Sequence, residues 1–232
     1  MTTSIEDLRS RIAAEREKNT TIRARDLAEQ LNISEAELVC AGLGITAKRL
    51  VGPWSEVLTA FGDLGSVMAL TRNHAAVHEK VGEYANMSFG PHGGIVLNHD
   101  IDLRLFLKNW SFGFAVSEDT RSGPRRSLQF FDVDGTAVHK VYMREESNNA
   151  AYDALVSRFL HEDQSSLIQV LQTQPAAEDR PDGEIDADGL LAAWGAMKDT
   201  HDFFPLIRKF KVGRQQALRL AEQKFADRAP VD

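Results

Sequence analysis

The sequence has little of several residue types that commonly build sites. Its one cysteine, Cys40, allows neither an intrachain disulfide nor a cluster of cysteine ligands for a metal, which is typical of a reducing cytoplasm. Cations are outnumbered, with 27 Lys and Arg against 34 Asp and Glu. Because binding along a phosphate backbone depends on a basic surface, we expect no nucleic acid partner.

Longer signals are also missing. The N-terminus has neither the basic start nor the apolar core of a signal peptide, and no uncharged apolar run approaches the roughly 20 residues of a membrane span. The sequence contains no glycine-rich phosphate loop and no nucleophile elbow. We therefore expect a cytoplasmic protein without membrane insertion. Its 232 residues, 43% of them hydrophobic, suit one large domain or one domain with a smaller addition.

The hydrophobic spacing changes from helical to strand-like and back again. Helical spacing covers residues 5–17, 25–31, 34–41, 54–61 and 148–160, then a stretch from about residue 188 and another from 214 to about 226. Alternation predicts strands at residues 67–71, 77–80, 84–89, 94–97, 101–107, 110–116, 126–131 and 137–142. Two local signals add detail: Ser34 with Glu37 predicts a capping box, and Asp134-Gly135 predicts a tight hairpin. The order predicts an α+β fold, an antiparallel β-sheet flanked by N-terminal and C-terminal helices.

Composition divides the chain into three regions. Residues 1–172 hold the N-terminal helices and the strands of the sheet. Residues 173–189 are acidic and contain Pro175 and Pro181, so they predict a solvated linker without a core of its own. Residues 190–232 predict a helical segment.

The most informative phrase is Asp199-Thr-His-Asp-Phe-Phe204, which places His201 between acids and before two aromatic residues. A basic run follows it, from Pro205 to Lys211. An imidazole with aromatic neighbours and adjacent cations suits a flat, apolar, anionic ligand. Haem is the obvious candidate, because its iron takes a histidine and its propionates need positive charge. Pro205 is expected to kink the helix beside His201, because proline removes an N–H and crowds the carbonyl four residues back. Without further evidence, a single histidine in a helix is more often a surface or core residue than a metal ligand.

Several phrases elsewhere in the chain carry a resemblance. They are Met68-Ala-Leu-Thr-Arg-Asn73, His78-Glu-Lys80, Asp100-Ile-Asp-Leu-Arg-Leu-Phe106, Arg126-Ser-Leu-Gln-Phe-Phe-Asp132, Gly135-Thr-Ala-Val-His-Lys140 and Arg214-Gln-Gln-Ala-Leu-Arg-Leu-Ala221. Together with the His201 phrase, and in this order, they resemble the cytoplasmic haem-handling proteins of the HemS/ChuS/HmuS type. The resemblance implies one HemS/ChuS-type repeat, an antiparallel sheet flanked by helices, with haem (iron protoporphyrin IX) as its cofactor or cargo.

The resemblance also implies roles for single residues. His201 corresponds to the proximal iron ligand, and Arg104 faces the opposite side of the haem, where it would polarise an oxygen ligand in a degrading enzyme. Phe106 packs near the ring, and Arg214 meets a propionate. The strand pattern by itself puts Arg104 and Phe106 on one face. Without the resemblance, a solvent-facing arginine is the favoured interpretation, and Phe106 fits an ordinary packed phenylalanine as well as a haem contact. The other six histidines are expected to be structural or surface residues.

Proteins of this type bind haem after import, and either pass it to a haem oxygenase or open the macrocycle themselves. The resemblance therefore implies a haem-binding protein of iron acquisition, and it leaves trafficking and oxidative degradation open. A haem oxygenase and a haem importer are the implied partners. The type has a second repeat after the helix of Arg214, which these 232 residues lack. The chain is then an N-terminal part or a short form, and two copies facing each other are expected to rebuild the cleft as a homodimer.

An alternative rests on residues 27–38, which are similar to the start of a helix-turn-helix. They would make the chain a non-enzymatic regulatory or interaction domain. A helix that reads DNA should present basic or amide side chains, whereas this one offers Glu35 and Glu37, which repel phosphate. We therefore expect a scaffold role for this helical pair.

Overall fold

The computed structural model describes residues 4–73, 75–91, 93–120, 123–165, 167–172, 179–199, 202–222 and 224–227. The chain divides into two compact units, Met1–Thr173 and Gln174–Asp232. Each unit has hydrophobic clusters of its own. The boundaries that the composition suggests, at residues 172 and 190, stay a prediction.

The first unit holds the sheets. Its described α-helices are α1 Ile5–Lys18, α2 Ala24–Leu31, α3 Glu35–Cys40, α4 Trp54–Thr59 and α5 Asn149–Arg158, with 3-10 turns at Ala60–Leu64 and Leu107–Asn109. Its strands are β1 Ala47–Leu50, β2 Val67–Arg72, β3 Val77–Gly82, β4 Met87–Gly90, β5 Gly93–Leu97, β6 Asp102–Leu105, β7 Phe112–Thr120, β8 Gly123–Phe131 and β9 Ala137–Met143. One antiparallel sheet has the order β1-β7-β8-β9-β2-β3, and a smaller one has the order β4-β5-β6. The predicted α+β class is confirmed.

Both local signals that the sequence offers are confirmed. The Ser34 hydroxyl accepts a hydrogen bond from the Glu37 amide, and the Glu37 carboxylate accepts one from the Ser34 amide, which completes the capping box of α3. Gly135 has a φ of 81°, a left-handed conformation that glycine adopts without strain, at the turn between β8 and β9. The two features meet, because the Ala36 amide donates to the Gly135 carbonyl at 3.1 Å. The hairpin is thereby tied to the start of α3.

The larger sheet is covered on both faces. On one face, Phe114 and Phe131 pack with Ala36 and Cys40 of α3. On the other face lies the central cluster, which includes Phe61, Tyr84, Val96, Trp110 and Phe130 and continues to α4 and α5. The smaller sheet contributes Val96 and Leu105 to this cluster. The small sheet therefore has one face on the core and leaves the other exposed, as an antiparallel sheet can.

The edge strand β3 is the exception in the larger sheet. It is the end strand, paired with β2 through contacts such as Thr71 with His78. Residues 77–81 are all exposed, on both faces of the strand. The charged residues of β3 oppose pairing with the edge of another chain.

Several predicted strands have different bounds in the structure. β6 ends at Leu105 because the backbone of Phe106 leaves the extended conformation and a 3-10 turn follows. Trp110 lies before β7 rather than in it, and its carbonyl accepts a hydrogen bond from the Trp54 indole at 2.7 Å. Tyr84 precedes β4, and it is buried in the central cluster. Neither β1 nor the separation of β4, β5 and β6 into a second sheet is predicted by the alternation pattern.

The second unit is helical in its described part. It contains α6 Ala187–Gly195, α7 Phe203–Phe210, α8 Arg214–Leu220 and a 3-10 turn at Asp182–Glu184. Its core consists of Ile185, Leu190, Leu206, Val212 and Ala217. Two residues of the stretch 179–189 contact this helical part: Ile185 is buried in the core, and the Gln216 side-chain amide donates to the Asp182 carboxylate at 2.8 Å.

The helical run expected from residue 188 is interrupted in the structure. The Asp202 carboxylate accepts from the Lys198 and Asp199 amides at 3.3 and 3.4 Å, and this local turn competes with helix continuation. Pro205 then falls in the first turn of α7, where its missing N–H has no partner in the helix to lose. The kink expected beside His201 falls on residues outside the described part of the chain, and α7 itself begins at Phe203. The last helix, α8, ends at Leu220 rather than near residue 226.

Among the described residues, no helix combines the length and the apolar character that crossing a membrane requires.

Candidate functional site

A hollow in the first unit is lined by residues of both sheets. They are Thr71 of β2, Val138 and His139 of β9, and Leu103, Arg104, Leu105, Phe106, Asn109 and Trp110 of β6 and the turn after it. Its volume is about 230 Å³. Pockets that enclose a small molecule typically measure ~300–1,000 Å³, so this space suits one edge or one group of a larger ligand. Mostly apolar walls with a few polar groups are typical of ligand sites. We call it the Arg104 hollow.

Arg104 is the cationic residue of this hollow. Alternation along β6 buries Leu105 and leaves Asp102 and Arg104 exposed. Within the part of the chain that the structure describes, the guanidinium has neither a hydrogen-bond partner nor a carboxylate at ion-pair distance. Its donors are therefore available to a carboxylate or another oxygen acceptor on a ligand.

The surface around Arg104 is apolar and exposed. Phe106 lines the same hollow and is 56% exposed. Ile95 is the cross-strand neighbour of Arg104 and is 45% exposed, and Leu97 on the same face of β5 is 53% exposed. Scattered exposed hydrophobics are ordinary, but three such side chains beside an available cation mark an interaction surface. The structure thus brings Arg104 and Phe106 together, as the strand pattern suggests.

A chain of hydrogen bonds runs inward from the hollow. Thr71 Oγ1 lies 3.4 Å from Nδ1 of His139, and the Tyr84 hydroxyl lies 2.5 Å from Nε2 of the same ring. His139 is completely buried, and burial lowers its pKa from 6.5 to about 4. Burial also raises the pKa of Tyr84 far above its usual value. Both groups are therefore neutral at physiological pH.

The burial of neutral His139 predicts a loss of stability in weak acid. Between its ordinary pKa of 6.5 and its folded pKa of about 4, the unfolded chain binds a proton that the folded chain does not. The stabilisation that neutral His139 contributes is fully present above about pH 6.5. It declines as the pH falls, and about 3 kcal/mol of it is lost at pH 4. Urea unfolding of the wild type and His139→Gln between pH 7 and 4.5 measures it. The variant should be less stable at pH 7 but lose less over the interval, and equal losses would contradict the assignment.

The remaining predicted site residues belong to the second unit. His201 lies outside the described residues, so its predicted role rests on the sequence. Arg214 is the first residue of α8 and is exposed. It has no ion-pair partner in the described part of that unit, whereas the nearby Arg219 donates to Asp182 at 2.6 Å. Arg214 is therefore available to an anion, and Arg219 instead stabilises the unit.

An aromatic surface lies close to His201 along the chain. Trp194 packs edge-on against Phe203, with ring centroids 5.1 Å apart, and stacks on Phe225 at 6.0 Å. Phe225 is 40% exposed and Phe204 is 53% exposed. Phe204 is exposed because α7 turns that side chain away from the cluster around Leu206. Such exposed rings are suited to a flat apolar ligand.

The helix-turn-helix alternative loses its basis in the structure. Every residue of α3 is buried or half-buried, so this helix cannot lie in a DNA groove. Its Glu35 carboxylate accepts from Arg72 at 2.6 Å and from Lys140 at 3.0 Å. The acidic residues of α3 therefore hold the helix to the sheet, which agrees with the expected scaffold role.

Sequence reasoning did not single out Thr71, Trp110 or His139 as site residues. For His139 a signal existed, since it lies two residues before buried Val141 and therefore on the inner face of its strand. Thr71 and Trp110 reach the hollow through long-range packing, for which the local pattern has no signal. Among the described residues, no group of three or more His, Cys, Asp and Glu is placed to hold a metal ion.

Comparison with known sequences finds two related results. The family model described as the haemin-degrading HemS.ChuX domain matches residues 32–159. The hemin transport protein HmuS of Yersinia pestis is 43% identical over 206 residues, which cover 88% of this chain and 58% of HmuS.

Solved structures show the same likeness. Holo-PhuS, a heme-binding protein from Pseudomonas aeruginosa, is 41% identical with a TM-score of 0.90, over 95% of this chain and 64% of PhuS. The heme degrading enzyme ChuS of Escherichia coli O157:H7 is 37% identical with a TM-score of 0.81, over 91% of this chain and 61% of ChuS. The chain spans less than two thirds of the length of each of these relatives.

Proposed function

The chain belongs to the family of haemin-degrading HemS.ChuX domains, and from this premise we propose that it binds haem in iron acquisition. The observation that carries the proposal is the Arg104 hollow, an apolar surface with an exposed and available guanidinium. The similar proteins HmuS and PhuS are named for hemin transport and heme binding, which supports the same ligand here.

The described residues fit the chemistry of haem. The macrocycle is flat and apolar, which suits the exposed side chains of Ile95, Leu97 and Phe106. Its polar groups are the iron and two anionic propionates. The propionates, or an oxygen ligand on the iron, can accept hydrogen bonds from an arginine with available donors. Arg104 is such an arginine, and we assign it to one face of the haem, with Phe106 packed against the ring.

We assign His201 as the axial iron ligand and Arg214 as the contact for a propionate. His201 lies in a phrase that resembles the family type, and the exposed Phe204 in the same phrase offers a surface for the ring. A neutral imidazole donates one ring nitrogen to iron when its other nitrogen is held by a hydrogen bond. Arg214 is supported by its exposure and by the absence of an ion-pair partner among the described residues.

The proposal includes two roles for this chain, delivery of haem and its oxidative degradation. Bound haem supplies iron-centred redox chemistry, and the residues of the chain orient it and set the polarity around it. In a degrading enzyme, Arg104 would be the catalytic residue, because its donors can hold an oxygen acceptor at the face of the haem. Adding ascorbate to the haemin complex separates the two roles, since loss of the Soret band marks degradation and a persistent band marks delivery.

Arg104→Ala is expected to weaken haemin binding by about 10-fold or more, because a hydrogen bond to a charged group contributes about 1.5–3 kcal/mol. Arg104→Lys should be intermediate, since an ammonium keeps the charge but loses the planar fork. Quenching of tryptophan fluorescence by haemin measures both affinities.

Lys108→Ala is the matched control for Arg104→Ala. It removes an exposed cation four residues away that does not line the hollow. Haemin affinity should stay within about two-fold of the wild type, because an exposed charge outside the hollow is screened by water and salt. If Lys108→Ala and Arg104→Ala weaken binding equally, the effect is one of net charge and the assignment of Arg104 is wrong.

The proposal extends to location and partners. We propose a cytoplasmic protein that takes haem from an importer and passes it to a haem oxygenase. Two copies are proposed to share one haem-binding cleft as a homodimer. Light scattering with and without haemin tests the last point, because a haemin-dependent doubling of mass supports a shared cleft and an unchanged monomer mass rejects it.

A further inference from the structure

Thr71 has an unusual place in the Arg104 hollow. It is exposed to the hollow at the end of β2, and its hydroxyl contacts the buried ring of His139, whose other nitrogen meets the Tyr84 hydroxyl. In the described part of the chain, neither hydroxyl has a further hydrogen-bond partner. The direction of the hydrogen bonds in this chain therefore decides what the Thr71 hydroxyl offers to a ligand.

Two directions are conceivable for a neutral histidine, because one ring nitrogen donates and the other accepts. If Nε2 carried the proton and donated to Tyr84, the buried Tyr84 hydroxyl proton would lack an acceptor among the described residues. An unsatisfied buried donor is costly, whereas a hydroxyl oxygen with an unused lone pair is not. Tyr84 therefore donates to Nε2, Nδ1 carries the ring proton, and Nδ1 donates to Thr71 Oγ1.

This direction leaves the Thr71 proton pointing away from His139, toward the hollow. We propose that Thr71 is an oriented hydrogen-bond donor that, beside Arg104, recognises an oxygen acceptor of the bound haem or of a small molecule held against it. The inference rests on the proposed haem-binding function and adds to it a positioning role for His139 and Tyr84. A hydroxyl that donated to the ring would offer the hollow only an acceptor, whereas this one accepts from Nδ1 and keeps its proton for a ligand.

The composition of the hollow supports an acceptor as the occupant. Arg104 offers donors alone, and Thr71 adds another donor at the same space. The described lining includes no aspartate or glutamate that would repel an anionic oxygen. Apolar walls such as Leu103 and Trp110 strengthen each hydrogen bond by excluding water.

The direction of the chain is testable without haem. In protein labelled with ¹⁵N-histidine, long-range ¹H–¹⁵N spectra at pH 7 identify which ring nitrogen of His139 is protonated, with His139→Gln used to assign the signal. The proposal expects Nδ1–H. An Nε2–H tautomer would overturn it, because Thr71 would then donate inward and offer the hollow an acceptor.

The recognition step is tested by haemin titration. Thr71→Val removes the hydroxyl at nearly constant volume and should weaken haemin binding about 5-fold, whereas Thr71→Ser should stay within about two-fold of the wild type. Tyr84→Phe should shift the His139 tautomer, and Thr71→Val should then have a smaller effect on haemin affinity than it has in the wild type. Equal affinity for the wild type and Thr71→Val would overturn the proposal, while haemin binding by the wild type would still uphold the proposed function.

Haemin dimethyl ester identifies the source of the acceptor. If Thr71→Val weakens haemin binding but not binding of the ester, the acceptor is a propionate carboxylate. If both are weakened equally, the acceptor is an oxygen that does not depend on the propionate charge, either the carbonyl that the ester retains or an oxygen of a small molecule beside the ring. Failure of the wild type to bind either compound would reject the proposed function and this ligand together, and the tautomer experiment would still decide the direction of the hydrogen bonds.

Discussion

Replacing His201 by alanine is expected to remove the haem-type Soret spectrum of the haemin complex and to weaken haemin binding at least ~100-fold. Loss of a group that merely supports a metal ligand costs about 10–100-fold in affinity, so loss of the ligand itself should exceed that range. The complex that remains would be held by apolar contact and by arginine alone. Haemin titration followed by absorption spectroscopy measures both the affinity and the spectrum.

His99→Ala serves as the control, because His99 is almost completely exposed and could bind haemin nonspecifically. Its spectrum and affinity should match those of the wild type. Added imidazole should restore the Soret band of His201→Ala, since it supplies the missing ligand without the side chain. An unchanged spectrum in His201→Ala would show that iron is bound elsewhere.

The largest expected effect on stability follows from Glu35. Its carboxylate is the anion for both Arg72 and Lys140, and the Lys140 side chain is 6% exposed. Burial lowers the pKa of Lys140, and the neighbouring Glu35 opposes that shift. Glu35→Ala leaves two cations at one buried position, which typically costs about 3–5 kcal/mol. We expect this loss in the free energy of unfolding, measured with urea.

Glu56→Ala is the matched comparison, because Glu56 pairs with Arg158 at 3.0 Å with both side chains more than half exposed. Exposed pairs contribute about 0–1 kcal/mol, so the two glutamates should differ clearly. Equal losses would mean that Lys140 releases its proton or reaches water when Glu35 is absent. The loss in the free energy of unfolding for Glu35→Gln should lie between those for Glu35→Ala and Glu56→Ala, since the amide oxygen still accepts hydrogen bonds from both cations.

Features set by neighbouring residues were predictable. The capping box of α3 depends on Ser34 and Glu37, three residues apart, and the hairpin depends on the freedom of Gly135. Both work over one turn of chain, so the sequence pattern contains all of their chemistry. The α+β class followed from the same local signals in order.

Features set by distant residues were not predictable from spacing. β1 is a run of Ala-Lys-Arg-Leu with no alternation, and it is a strand because it pairs with β7, far along the chain. The Arg104 hollow likewise joins Thr71, Arg104 and His139 from three separate strands. Phe106 and Arg104 could be placed on one face from the strand pattern. The position of Thr71 and His139 beside them depends on how the two sheets pack. His201 remains a prediction from its phrase.

The exposed edge strand β3 has a consequence for how the first unit moves. Thr71 has its backbone pairing with β3, through His78, whereas the register with β9 ends at Leu70. A strand exposed on both faces buries little and should open at a lower free energy than the core. Its amide hydrogens should exchange faster than those of β8 or β9, and the Thr71 amide should exchange with them. Within the Arg104 hollow, His139 therefore lies on a strand that stays paired, whereas the Thr71 backbone opens together with the sheet edge.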